Sequence, residues 1–109
     1  MDDNVDVADS LETLVRSLGH EVKVAYDGAS ALRIAEAFQP EIALIDLEMP
    51  GMSGYDLAPK LAALVQDVVL VAQTGYGIEE YRERARSAGF HHFITKPVEV
   101  EALSRLLES

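Results

Sequence analysis

Two short apolar runs, Ile42 to Ile45 and Val68 to Ala72, stand between stretches whose apolar residues recur at helical spacing. Such a run is too short for a helix and suits a strand covered on both faces of a parallel sheet. Around these runs, Leu11, Leu14, Val15 and Leu18 follow the i, i+3, i+4, i+7 pattern, which predicts an amphipathic helix from about Val5 to Leu18, stopped by Gly19. Glu21 to Tyr26 alternates and predicts a strand at a sheet edge, followed by an Asp27-Gly28 turn. Ala31, Ile34, Ala35 and Phe38 repeat the helical stripe before Pro40. Leu57, Leu61 and Leu64 mark a third helix, with Pro59 in its first turns, where proline is tolerated. Gln73 to Gly77 reads as a loop, and Ile78 to Ala88 as a helix with a charged outer side, closed by Gly89. Phe93-Ile94 reads as a short strand, Lys96-Pro97 as a turn and Val100 to Leu107 as the last helix. Strands alternating with helices of this length predict right-handed βαβ units and a parallel sheet.

The length, 109 residues, fits one domain spanning 1–109. A chain of that size buries roughly 65% of its unfolded surface, enough for a core without staples. There is no cysteine, so neither a disulfide framework nor a thiolate metal site is open to it. No apolar run reaches the roughly 20 residues of a membrane span, and no signal-peptide pattern opens the chain. A cytoplasmic location is the expectation. Net charge is −10, from 19 acidic and 9 basic residues, which disfavours direct binding of nucleic acid. The acidity serves solubility, or reflects carboxylates converging on a cation.

In an open α/β sheet, ligands bind beyond the carboxyl ends of the strands. Asp46, Thr74 and Lys96 each follow a different strand, and Asp2 and Asp3 open the chain just before the first helix. An aspartate, a hydroxyl and an ammonium delivered to one edge suit phosphoryl transfer to a carboxylate. Asp46 is the candidate nucleophile. Because donor and acceptor are both anionic, a cation is required. Mg²⁺ takes one or two carboxylates plus phosphate and water, a need met by Asp46 and one of Asp2 and Asp3. Lys96 would neutralise phosphoryl oxygens and Thr74 would donate a hydrogen bond to one. Taken singly, each residue has a plainer role: a turn former, a helix cap, a solvated charge.

Asp2-Asp3-Asn4, Ile45-Asp46 with Met49-Pro50-Gly51-Met52-Ser53-Gly54, Thr74-Gly75 and Lys96-Pro97 together resemble, in order, the signatures of receiver domains of two-component signalling. The resemblance spans essentially the whole chain. It implies a flavodoxin-like (CheY-like) doubly wound parallel sheet of strand order 2-1-3-4-5. It further implies Asp46 as the phosphoacceptor for a histidine kinase, a phosphotransfer domain or a small phosphodonor. Asp3 would contact Mg²⁺ directly, Asp2 through water, and Glu48 through its backbone carbonyl. Thr74 and Phe93 would form the pair that rearranges on phosphorylation, and the bond before Pro97 would be cis. Tyr76 and Glu48 would flank the site and tune the lifetime of the phosphoryl group. The face of the fourth helix, last strand and last helix would meet an output domain or target, or a second copy in a homodimer. Thr74-Gly75-Tyr76-Gly77 and Lys96-Pro97-Val98 resemble receivers attached to hybrid sensor kinases; a stand-alone regulator stays open. His91 and His92, adjacent on a strand, would point to opposite faces, which argues against a shared metal.

The chain departs from the family pattern at its start. The family opens with a hydrophobic strand, normally central, that ends in the acidic pair; here only Met1 precedes Asp2. Either the sequence is truncated at its start, or the gap is filled by another chain or by rearrangement; with large core side chains worth ~2–5 kcal/mol each, the chain taken alone is expected to be marginal or to associate through the open slot. Two other functions compete. A haloacid-dehalogenase-type phosphatase also uses a strand-end Asp, a hydroxyl, a Lys and Mg²⁺, but it needs an acidic pair after the lysine, where Glu99 and Glu101 fall in a helical run. A pseudo-receiver would bind partners without accepting phosphate.

Overall fold

The computed structural model describes residues 1–2, 4–47, 53–75, 78–95 and 98–108. Helix α1 (Val5–Ser17) opens with Asn4, whose side chain accepts from the Val7 amide at 3.2 Å. Helix α2 (Gly28–Phe38) opens in the same way on Asp27, which accepts from Ser30 N–H at 2.7 Å. Each cap satisfies an amide that has no partner in the first turn. Gly19 and Gly89 adopt φ of 91° and 109°, the left-handed backbone that a chain leaving a helix takes most readily at glycine.

Strand β1 (Ile42–Asp46), helix α3 (Gly54–Leu64), strand β2 (Val69–Thr74), helix α4 (Ile78–Ala88), strand β3 (His92–Thr95) and helix α5 (Val100–Glu108) complete the order. The three strands form one parallel sheet, β1-β2-β3. Leu44 faces Val71, and Val71 faces His92. These are the last three strands of the expected five. One face buries Ile45, Leu70 and Ala72 against α2, α3 and α4 through Ala35, Leu57, Leu61 and Ala85. Val71, Ile94 and Leu103 are buried apart from that cluster, together with Ala8 and Val15 of α1.

The predicted strand Glu21 to Tyr26 is corrected here: residues 21–25 belong to no strand. A strand exists only through its ladder partners, and between these residues and β1 lie Met1 and Asp2, of which Asp2 N–H bonds Ala25 O. The segment is still anchored. Tyr26 Oη donates to Asp9 Oδ1 of α1 at 2.7 Å, and this bond raises the Tyr26 pKa. Gln73 and Thr74, predicted as loop, instead extend β2 by two residues.

Candidate functional site

β1 ends at Asp46, in register with Gln73 of β2, which is in register with Ile94 of β3. The ladder runs one step further, since Leu47 N–H donates to Gln73 O at 2.9 Å. On the other side of β1, Asp46 N–H donates to Met1 O at 3.0 Å, which sets the Asp2 backbone next to Asp46. Asp2 N–H donates to Ala25 O at 3.2 Å, and its Oδ1 accepts from Asn4 N–H at 3.0 Å. The chain start and the first strand thus bring two aspartates to one place. Asp2 and Asp46 are each 1% exposed, and Thr74, at the end of β2, is 2% exposed.

The start of α3 closes over this end of the sheet. Ser53 caps it by accepting from Asp56 N–H at 3.3 Å. The next residue must be small: a methyl group on Gly54 would lie 2.8 Å from the Asp46 carbonyl oxygen and 3.1 Å from the side chains of Ile45 and Leu47. Gly54 therefore lets the helix approach the strand end.

Phe93 is half-buried and packs on the α2–α4 side, in register with Ala72. Thr74 lies two residues beyond Ala72, on the same side of the sheet. The expected switching pair is therefore on one face of neighbouring strands. Asp2, Asp46, Thr74 and Phe93 lie within the described residues; Asp3, Glu48, Tyr76, Lys96 and Pro97, with its predicted cis bond, lie outside them. His91 Nδ1 accepts from the Leu70 amide at 3.0 Å, so it extends the edge of the sheet.

Two buried carboxylates at one strand end offer an all-oxygen donor set, which matches Mg²⁺, an ion that prefers hard oxygen ligands. The residues present fit that ion. Among the described residues no group of three or more His, Asp or Glu gathers, Asp3 and Glu48 standing outside them.

Sequence reasoning missed Gln73. Its side chain is completely buried, and among the described residues neither its amide nitrogen nor its amide oxygen has a hydrogen-bond partner. The clue was present: Gln73 continues the β2 run between Ala72 and Thr74.

Residues 1–108 match the response regulator receiver domain. The chain belongs to that family. The receiver is 34% identical over 97 residues to the transcriptional regulatory protein PrrA of Mycobacterium leprae, covering 89% of this chain and 42% of that protein. It is 33% identical over 91 residues to the sensor histidine kinase RcsC of Salmonella typhi, covering 84% of this chain and 10% of that one. The receiver thus spans less than half of either relative. Among solved structures, it superimposes with a TM-score of 0.85 on the receiver domain of the sensor histidine kinase PA1611 of Pseudomonas aeruginosa, at 29% identity, covering 99% of this chain and 90% of that one. That structure carries a magnesium ion in its active-site cleft. The receiver fold is a two-component signalling module rather than an enzyme family. No helix among the described residues is long and apolar enough to cross a membrane.

Proposed function

We propose that this chain accepts a phosphoryl group on Asp46 from a histidine kinase or phosphotransfer domain and passes the change to an output partner. The observation that carries this reading is Asp46 itself, a 1%-exposed carboxylate at the end of β1, beside Asp2 and ahead of the buried Thr74. A carboxylate oxygen of Asp46 attacks phosphorus; the bond from phosphorus to the donor breaks, and the donor leaves with the electron pair. When bound, Mg²⁺ supplies positive charge against the phosphoryl oxygens. Asp46, Asp3 and the Glu48 carbonyl would hold it, with Asp2 acting through water, and Thr74 and Lys96 would steady the transferred group. Thr74 and Phe93, on one face of the sheet, relay the change toward the face of α4, β3 and α5. That surface meets an output domain, a target protein or a second copy. The domain works in the cytoplasm.

Incubation with Mg²⁺ and acetyl phosphate, read by intact mass, tests this. The parent should gain one phosphoryl group that base removes, and Asp46→Asn should gain none. A folded, Mg²⁺-binding parent that gains nothing would make the chain a pseudo-receiver. Turnover of a generic phosphate ester would point instead to a phosphatase.

A further inference from the structure

Gln73 is completely buried, and no described residue hydrogen-bonds its side-chain amide. Register shows what lies beside it. Along β2, Leu70 and Ala72 belong to the cluster under α2, α3 and α4, so Val71 and Gln73 face the other side of the sheet. Asp46 and Ile94 are the register partners of Gln73 and share that side. Asp2 joins the same row. Met1 O accepts from Asp46 N–H, and Met1 packs against the cluster that holds Ile45, so Asp2 turns to the side of Asp46. One face of this sheet end therefore carries Asp2, Asp46, Gln73 and Ile94 in a row, at strand spacings of about 4.8 Å.

Among the described residues, Asp2, Asp46, Gln73 and Thr74 are the buried polar ones, and Thr74 belongs to the opposite face. The other residues buried apart from the cluster, Ala8, Val15, Val71, Ile94 and Leu103, have no polar side-chain atom. The two carboxylates are therefore the polar groups nearest to the amide in the row. The hydrogen-bonding character of an amide suits such a place. A carboxylate only accepts and a water on a cation donates, whereas an amide does both. Mg²⁺ gives up its hydration shell reluctantly and keeps several waters. Where the carboxylates are 1% exposed, the hydrogens of those waters need acceptors from the chain itself.

We propose that Gln73 is an outer-sphere ligand of the cation site: its Oε1 accepts from a water of the ion's hydration shell, and its Nε2 donates to the Asp46 carboxylate. Gln73 is then a positioning residue, which orients Asp46 and the hydrated ion without touching the metal. The inference rests on the Mg²⁺ site proposed above and deepens it. Leucine or methionine at position 73, of similar volume, would leave the carboxylates in place and remove both bonds. Partners of this kind, beyond the direct ligands, typically change metal affinity by about 10–100-fold.

The test is Mg²⁺ binding by the unphosphorylated full chain. It is read from the rise of the urea midpoint with MgCl₂ over NaCl of equal ionic strength. Parent, Gln73→Leu, Gln73→Met and Ile94→Val are compared. Without Mg²⁺, both Gln73 variants should unfold at or above the parent's midpoint, because an orphaned amide is gone; this also shows that they fold. Their Kd for Mg²⁺ should nevertheless be about tenfold weaker. Ile94→Val, on the other flank of Gln73, should lower the metal-free midpoint and leave Kd unchanged. A role confined to packing moves the midpoint but not Kd, so a parent-like Kd in both Gln73 variants would overturn the proposal. So would an equal weakening in Ile94→Val, since the effect would then be one of packing. A parent that gains no more from MgCl₂ than from NaCl would overturn the cation site together with this role, which keeps the two failures distinct.

Discussion

At Gly54 a single hydrogen atom sets the distance between α3 and the strand that ends in Asp46. The neighbour at 2.8 Å would be a backbone carbonyl, which cannot rotate aside as a flexible side chain would. Gly54→Ala should therefore cost about 1–3 kcal/mol by overpacking, despite alanine's advantage in helices of roughly 1 kcal/mol. Urea unfolding measures the loss, and phosphoryl labelling of the still-folded fraction should fall with it, because Asp46 moves. A stabilised Gly54→Ala would show that the helix start can retreat freely. Gln73 presents the opposite situation. Burying an amide without partners costs roughly 1–3 kcal/mol, so Gln73→Leu, of similar volume, should raise stability by about 1 kcal/mol. A loss instead would mean that the amide is held in solution by bound water or by the occupied site. Labelling of Asp46 in the same variant would separate these roles, since Gln73 is its neighbour in register.

At the scale of elements, helix α2 depends on its cap. The Ser30 backbone N–H, bonded to the Asp27 carboxylate, holds the Asp27 pKa below its ordinary value of 3.8, and the Ser30 side chain adds to the effect. A folded-state pKa depressed in this way gives stability that is present above the unfolded pKa and lost as pH falls through the folded one. Asp27→Ala should therefore unfold at lower urea than the parent at neutral pH. The difference should shrink below pH 3.8 and vanish under the folded pKa. Midpoints measured across that range check the sign; a gap that persists in acid would assign the effect to backbone propensity rather than charge. Elements of this kind were legible in the sequence because their signals are local. Gly19 and Gly89 mark helix ends and Asp27-Gly28 a turn by chemistry within a few residues, and Ile42 to Ile45 marks a covered strand by composition alone, whereas the caps at Asn4 and Ser53 came from the structure. Asp46 and Thr74 were legible because the end of a parallel strand is where ligands bind. Residues 21–25 were misread because a strand is a property of two segments, and alternation cannot tell whether the second is there. The orphaned Gln73 amide and the close approach at Gly54 were hidden for a related reason. Both arise from packing between distant parts of the chain, which no spacing encodes.

At the scale of the whole molecule, a chain of net charge −10 gathers two of its carboxylates out of water at one strand end. Two effects of added salt then have to be separated. Screening relieves repulsion among exposed charges for any electrolyte and acts within a Debye length of about 8–10 Å at moderate ionic strength. A cation held by Asp2 and Asp46 acts differently, because it binds the folded chain and not the unfolded one. Its contribution grows as the logarithm of concentration over Kd, reaching about 1.4 kcal/mol at ten times Kd and about 2.7 kcal/mol at a hundred times. MgCl₂ should therefore stabilise the parent beyond NaCl of equal ionic strength, and the excess should keep rising by about 1.4 kcal/mol per decade above Kd. In Asp46→Asn the excess should collapse while the response to NaCl stays, because one buried oxygen anion is gone but the surface charge is nearly unchanged. Equal responses to the two salts in the parent would reduce the acidic pair to part of a general charge and remove Mg²⁺ from the site. An excess that survives Asp46→Asn would place the ion elsewhere on the acidic surface.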